Sequence, residues 1–390
     1  MTIEALREEA RAFLAEHVPA WKADEGVGDE ELTREQRRSW QRHLFEHGWG
    51  VPTWPEEYGG RGLGMVENLV WNQCKAEAGF QFTFDFVGMG LAGPTIIARG
   101  TERQKQRYLK PIARGDESWC QLFSEPGAGS DLGGLSTRAE RSGDVWIVNG
   151  QKVWSSGAME SDFGLLIARH DPDLPKQQGL VFLLLDMHAP GVEIRPLRQI
   201  DGGAHFAEVF FNDVEVPDAD RVGEPGEGWS VAMTTLLHER SSIGGGIGSF
   251  AMPFDDVVRI AREHGRNEDP LVRQHLVEIY TRKTILDVLN TRVQTALLSG
   301  RIPEAEGSVI KLLMAQLGSV SALNAIELLG VEGTLADGPG SPQQRFLGMA
   351  ALHIGGGTDE VQRNAIAERV LGLPREPRPD KEVPFKDTRR

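Results

Sequence analysis

Four stretches of this 390-residue chain hold residue types that could do chemistry. In LHIGGGTDEVQR, residues 352 to 363, three glycines run into a helix start. Thr358 can cap that helix, Asp359 and Glu360 put acid in its first turn, and Val361, Ala365 and Ile366 follow at helical spacing. Bare backbone there lets a bulky group approach, and free N–H groups at a helix start suit an acceptor or an anion; a flexible hinge would use the same residues. In CQLFSEPGAGSDL, residues 120 to 132, an apolar run enters a turn of Pro126, Gly127 and Gly129 and leaves through Ser130 and Asp131, which makes a plain turn or a ligand loop. VNGQKVWSSG, residues 148 to 157, sets a hairpin-like Asn-Gly beside Trp154, Ser155 and Ser156, either a strand with a buried indole or an aromatic platform with two hydroxyl donors. In LLHERSSIGG, residues 236 to 245, Glu239 stands directly before Arg240, a dipeptide whose usual fate on a helix is an exposed ion pair.

Composition narrows what these stretches can serve. The chain is 40% hydrophobic and 25% charged, too long for one compact core, so two or three packed units are expected. Lys plus Arg number 42 against 57 for Asp plus Glu, a formal charge of -15, and no basic stripe with interleaved aromatics exists, which argues against nucleic acid as a partner. Cys74 and Cys120 match no metal-ligand or CxxC spacing, so no metal set is expected and both read as core residues of a reducing compartment. The start, TIEALREEARAFLAEH, places Ile3, Leu6, Ala10, Phe13 and Leu14 on one helical face and lacks the basic start and apolar run of a signal peptide. The aliphatic run GLVFLLLDM, residues 179 to 187, is too short to span a bilayer. A cytoplasmic location without membrane association is the expectation.

The elements that must position these residues fall in three blocks. Capping boxes at Thr33 to Gln36 and Thr101 to Gln104, with the N-terminal helix, predict helices before residue 117, joined by an irregular connection over VPTWPEEYGGRGLG, residues 51 to 64. Residues 118 to 222 hold short apolar runs divided by Gly, Pro, Asp or Asn: VWIVNG, FGLLIARH, GLVFLLLDM, VEIRPLR and FAEVFF. They predict an antiparallel sheet or small barrel. Helical periodicity returns from 223 to 390, with long segments near 229 to 264, 271 to 299 and 304 to 330, and only the tail from Pro374 reads as loose. Neither GGRGLG (59 to 64) nor IGGGIG (243 to 248) supplies a Rossmann fingerprint after a strand, so a nicotinamide site of that kind is not expected.

Taken in order, SEPGAGSD, NGQKVWSSG with LLIAR, FFNDVEVPDADRVGEPGEGW, HER, and GGGTDEVQR with AIAERVLG resemble the acyl-CoA dehydrogenase family over essentially the whole chain. The resemblance implies an α+β architecture: an N-terminal helical domain (1–117), a middle antiparallel β-barrel (118–222) and a C-terminal four-helix bundle domain (223–390). It implies FAD as cofactor, an acyl-CoA thioester as substrate, and assembly as a homotetramer or a two-plus-two heterotetramer. Carried over by position, Gln121, Phe123 and Ser124 face the isoalloxazine, Ser130 lies near the flavin pyrophosphate or the substrate, Trp154 packs on the ring, and Ser156 supplies the hydroxyl near N5. AIELLGVEG (325 to 333) resembles the segment that completes the site from an adjacent subunit, with Glu327 where Gln is usual and Gly330 retained. Thr358 and Glu360 are carried over as cofactor-binding positions. The family's upstream Arg and Gln pair has no clean counterpart in EHGRNEDPLVRQH, residues 263 to 275.

Many members carry a catalytic Glu directly before the Gly-Thr of the last motif; here that position is Gly356. The resemblance leaves the Gly356 N–H as a donor to the thioester oxygen. It places the base at Glu239, where some members have Glu before Arg, with Arg240 orienting the substrate. The implied reaction is α,β-dehydrogenation: Glu239 takes the α-proton and the β-hydride passes to flavin N5, with an electron-transfer flavoprotein as acceptor. Two alternatives stay open, a non-catalytic or FAD-supporting subunit of a heterotetramer and a flavin monooxygenase on the same fold.

Overall fold

The computed structural model describes residues 2–28, 32–80, 84–243, 252–299, 306–335, 338 and 340–388, with the backbone alone along 240–243 and 297–298. Two compact units result: residues 1–197, 204–239 and 378–390 form the first, and 198–203 with 240–377 the second.

The first unit opens with helices α1 (Ile3–Asp24), α2 (Arg34–Glu46), α3 (Met65–Glu77), α4 (Gly93–Arg99) and α5 (Glu102–Arg114). Both expected capping boxes form, Thr33 with Gln36 and Thr101 with Gln104, each satisfying donors that a helix start leaves open. Leu6, Ala10 and Leu14 of the α1 stripe are buried with Trp40, Leu44 and Trp71 in one cluster, against which Ile3 and Phe13 pack. The connection at 51 to 64 is irregular, as its Pro and Gly content requires, yet it sends Trp54 and Tyr58 into the core shared with the sheet.

Seven strands follow: β1 (Trp119–Leu122), β2 (Arg138–Ser142), β3 (Val145–Ser156), β4 (Phe163–Arg169), β5 (Leu180–Asp186), β6 (Val192–Leu197) and β7 (Phe206–Pro217). They form one curled sheet in the order β1-β4-β2-β3-β7-β6, with β5 on β4. All five apolar runs are strands. The pairing is antiparallel except that β1 runs parallel to β4, and β4 meets β2 in parallel at Arg138 and Arg169, so the sheet is mixed where a purely antiparallel one was expected. The parallel pair is possible because residues 123–162 separate β1 from β4, long enough for a crossover. Asn149–Gly150 does not turn a hairpin; it lies inside β3 at a register shift against β7, and the β2–β3 turn is made at Gly143.

The tail corrects the sequence reading. Phe385 is buried, Arg169 stands over its ring at 3.6 Å, and the Phe385 and Lys386 N–H groups donate to the Leu174 and Pro172 carbonyls. One aromatic in an otherwise charged, proline-rich segment is enough to dock it on the sheet domain.

Helical periodicity resumes as α6 (Gly228–Ile243), α7 (Phe254–Glu263), α8 (Pro270–Leu298), α9 (Glu306–Leu329), α10 (Pro342–Leu352) and α11 (Asp359–Ala365). The segment expected near 229 to 264 is two helices, with Pro253 as the N-cap of α7. In the second unit α9 lies against α7, α8, α10 and α11. The helical stretch Glu306–Thr334 is long and apolar enough to cross a membrane, at mean hydropathy 1.5 with 50% of its apolar window buried. Its neighbours on several sides make it a core helix.

Candidate functional site

The turn at SEPGAGSD is built on a buried charge pair. Lys152, wholly buried on β3, donates from Nζ to Glu125 Oε1 and to the Phe123 carbonyl, both at 2.9 Å. Glu125 also accepts from the Ser136 and Thr137 N–H groups at 2.6 and 2.9 Å. Burial pushes the Glu125 carboxyl up, but Lys152 and these donors prevail and hold it below the ordinary carboxylate range. Burial pulls Lys152 down to about 8. Glu125 and Ala128 exchange backbone hydrogen bonds across the turn, and the Val153 N–H donates to the Ser124 carbonyl at 2.9 Å, stitching the turn to β3.

That stitch coincides with a bulge. The register of β3 against β7 shifts between Lys152 and Ser155, and Trp154 takes φ +61°, a left-handed conformation rare for a bulky side chain. The bulge turns the indole outward, 57% exposed and edge-on to Phe206 at 5.7 Å. Ser156 and Ser130 are exposed, and Gln121 and Ser124 half-buried. The Phe123 ring packs edge-on to Phe182 in the core, so only its backbone is available to a ligand. Among the described residues Ser155 Oγ is buried without a hydrogen-bond partner. A flat exposed aromatic held in a strained conformation beside hydroxyls is a fit for a large planar group with a polar edge.

Glu239 sits on α6, whose start is pressed against β5: a Cβ on Gly228 would come within 2.7 Å of the Leu180 and Val181 backbone. Val231, Ala232 and Thr235 form the buried stripe of α6, and Thr235 Oγ1 bonds Thr95 Oγ1 of α4 at 2.9 Å. Glu239 is the next residue of that stripe, one turn beyond Thr235, and is half-buried. The α6 backbone continues through Arg240, whose side chain lies outside the described residues, as do 244–248 of IGGGIG.

In the second unit the glycine loop follows α10. Gly356 and Gly357 have φ of +67° and +92°, so the loop turns where side chains would be strained. Its ends are pinned: Gly355 N–H donates to Ala351 O at 2.9 Å, Asp359 N–H to His353 O at 3.1 Å, and Gln362 Nε2 to Gly356 O at 2.8 Å. Thr358 caps α11 as expected. Asp359 meets His353 Nδ1 at 2.8 Å, and His353 Nε2 lies 2.6 Å from Ser319 Oγ on α9, which ties the loop to the core helix. Among the described residues the Gly356 N–H has no acceptor. Glu360 is exposed and faces Arg363. Glu327 is exposed, with His275 Nδ1 at 4.0 Å from its carboxylate, and Gly330 has φ +59°. Arg266, in the segment where no counterpart of the upstream pair was found, donates to the Glu327 carbonyl at 3.4 Å.

Sequence reasoning missed Lys152 and Glu125, although both stand inside the quoted motifs. Their signal was only that each is a charged residue in an apolar strand or turn, 27 positions apart.

Three family models match the chain in order: "Acyl-CoA dehydrogenase, N-terminal domain" over residues 2–116, the "middle domain" over 120–214 and the "C-terminal domain" over 226–371. Acyl-CoA dehydrogenase IpdE1 of Mycobacterium tuberculosis is 40% identical over 385 residues, covering 96% of this chain and 98% of the relative. Among solved structures, "Tcur3481-Tcur3483 steroid ACAD" superposes with a TM-score of 0.79 at 31% identity, covering 96% of this chain and 98% of that one. The ChsE4-ChsE5 complex from Mycobacterium tuberculosis superposes at 0.74 and 30% identity, with coverage of 96% and 98%.

Proposed function

The chain belongs to the acyl-CoA dehydrogenase family of oxidoreductases, and from that premise we propose that it desaturates an acyl-CoA at Cα–Cβ, with Glu239 as base and FAD as cofactor. The observation that carries this reading is Glu239 itself: a half-buried carboxylate on the inward stripe of α6, in a chain whose Gly356 offers no side chain. The bound flavin supplies the acceptor for the β-hydride. Glu239 removes the α-proton, so one proton and one hydride leave adjacent carbons and a 2-enoyl thioester remains. The Gly356 N–H, without an acceptor of its own among the described residues, donates to the thioester oxygen as enolate charge develops. On the sheet domain the outward indole of Trp154 would hold the flavin ring, with the Ser156, Ser124 and Ser130 hydroxyls available to its polar atoms. An electron-transfer flavoprotein is the proposed acceptor of the electrons.

The substrate class follows from the loop and the relatives together. Three glycines present bare backbone where many members carry Glu, leaving room for a bulky acyl group, and one structural neighbour is titled a "steroid ACAD". A ring-bearing, steroid-derived acyl-CoA is therefore the proposed substrate. The proposed assembly is a two-plus-two heterotetramer. Among the described residues, fourteen of the twenty exposed large hydrophobic side chains fall between Leu271 and Leu373, apolar area in the second unit that needs covering, and one neighbour is titled a complex of two named chains. Gly356 also favours a second reading, in which this chain only supports FAD and its partner supplies the base.

The test is a panel of straight-chain, branched and polycyclic acyl-CoAs with an artificial electron acceptor, run on the chain alone and coexpressed with a related chain. Expected are bound FAD and activity on polycyclic thioesters. Absence of FAD from both preparations would overturn the cofactor reading. Activity that survives Glu239→Gln in this chain and is abolished by removing the partner's own base would establish the supporting-subunit reading.

A further inference from the structure

A cluster unrelated to the redox reading stands in the N-terminal helical domain. The run RHLFEH places His43 and His47 four residues apart, on one face at the end of α2, and α1 brings His17 across to them. The ligand nitrogens of the three imidazoles all lie within 4.8 Å of one another. His17 Nδ1 and His43 Nε2 are 2.9 Å apart, and the His47 ring centroid is 4.5 Å from that of His17 and 4.4 Å from that of His43.

From this geometry we propose that His17, His43 and His47 form a zinc site that clips α1 to α2, with three imidazole nitrogens and one water as ligands. The tautomers support it. His47 Nδ1–H donates to the His43 carbonyl at 2.8 Å, which leaves the lone pair on Nε2. Between His17 Nδ1 and His43 Nε2 one proton is shared, and a cation takes that proton's place as it moves to the far nitrogen of either ring. Two imidazoles on a tetrahedral ion with bonds of 2.0–2.1 Å stand about 3.3 Å apart, so this pair opens by a few tenths of an ångström, a small ring rotation.

The rings are already oriented. Phe13 stacks on His17 at 4.3 Å and Trp40 on His43 at 5.3 Å, which limits the rotation the ion has to freeze. His47 is exposed, so the fourth position is open to water. An all-nitrogen set selects zinc-class ions over magnesium or calcium, which require oxygen.

The full-length chain, purified without a histidine tag and stripped with EDTA, is titrated with zinc chloride by calorimetry. One ion per chain is expected at this cluster. His17→Gln and His47→Gln should each weaken it at least roughly a hundredfold, the upper end of the cost of losing even an outer partner. His188→Gln, an exposed histidine (73%) on the sheet domain, should leave it unchanged. Zinc, but not magnesium, should raise the thermal midpoint of the parent and not that of His47→Gln, whose exposed position keeps the fold intact. Absence of saturable zinc binding, or parent-like affinity in both histidine variants, would overturn the proposal.

Discussion

The turn at 124–131 and the loop at 354–358 are both glycine-rich, and they are fixed by opposite means. In the first, the charged groups of Lys152 and Glu125 are buried beneath the backbone and hold it from one side, with a strained Trp154 beside it. In the second the turn is made by the glycines themselves, at φ +67° and +92° where a side chain would be strained, and the pins are hydrogen bonds at the loop's ends. A turn of the first kind fails when a distant side chain is changed; a loop of the second kind fails when its own residues are changed. The first presents side chains outward, and the glycines of the second present only backbone.

Breaking the buried pair has the larger expected effect on stability. Lys152→Met strands the Glu125 carboxylate in the core and should cost about 3–5 kcal/mol in urea unfolding, while replacing both partners by apolar residues recovers part of that. A loss below about 1 kcal/mol would mean that the pair does not hold the turn. The pair also gives a pH signature. Lys152 titrates at about 8 in the fold against 10.5 ordinarily, with burial the largest cause. Between those values the unfolded chain keeps a proton that the folded chain has lost. Stability should therefore rise as pH climbs from about 8 toward 10.5, and Lys152→Met should lack that rise.

In the loop, Gly356→Ala forces a side chain into the left-handed region and should lower stability by about 1–2 kcal/mol. A neutral or stabilising result in thermal melts would show that the loop adopts another conformation. The smallest expected effect on folding is at Trp154. Trp154→Gly relieves the positive φ and loses an exposed ring, so its melting should stay within about 0.5 kcal/mol of the parent. Flavin retention on dilution should fall at the same time, which separates a platform residue from a core residue.

Much of the fold was legible because its signals are local. Thr33 and Thr101 each announce a helix within four residues, and five apolar runs announce five strands. Strand β2 was not legible, since RAERS is mostly exposed and offers Ala139 as its one buried residue. The parallel pairing of β1 with β4 was hidden for a different reason, being a property of partners 44 residues apart and not of either run. Phe385 gave no sign of its cation partner, and His17 no sign of His43, because each contact spans helices or domains. At the site, Glu239 and Gly356 were named by resemblance, whereas Lys152 was passed over because a lysine in a strand reads as solvated until its burial is seen.

The proposed reading puts the proton-removing group on α6 rather than on the glycine loop, and anaerobic mixing of the FAD-loaded protein with a competent acyl-CoA tests that most directly. Glu239→Gln should keep fold and flavin but slow flavin reduction about a hundredfold to ten-thousandfold, the usual contribution of a positioned base. Gly356→Glu in that background should restore part of the rate, limited by the strain of a side chain at φ +67°. Reduction of Glu239→Gln as fast as the parent would contradict the account, leaving α6 without a catalytic role and the reading of this chain as a supporting subunit in its place.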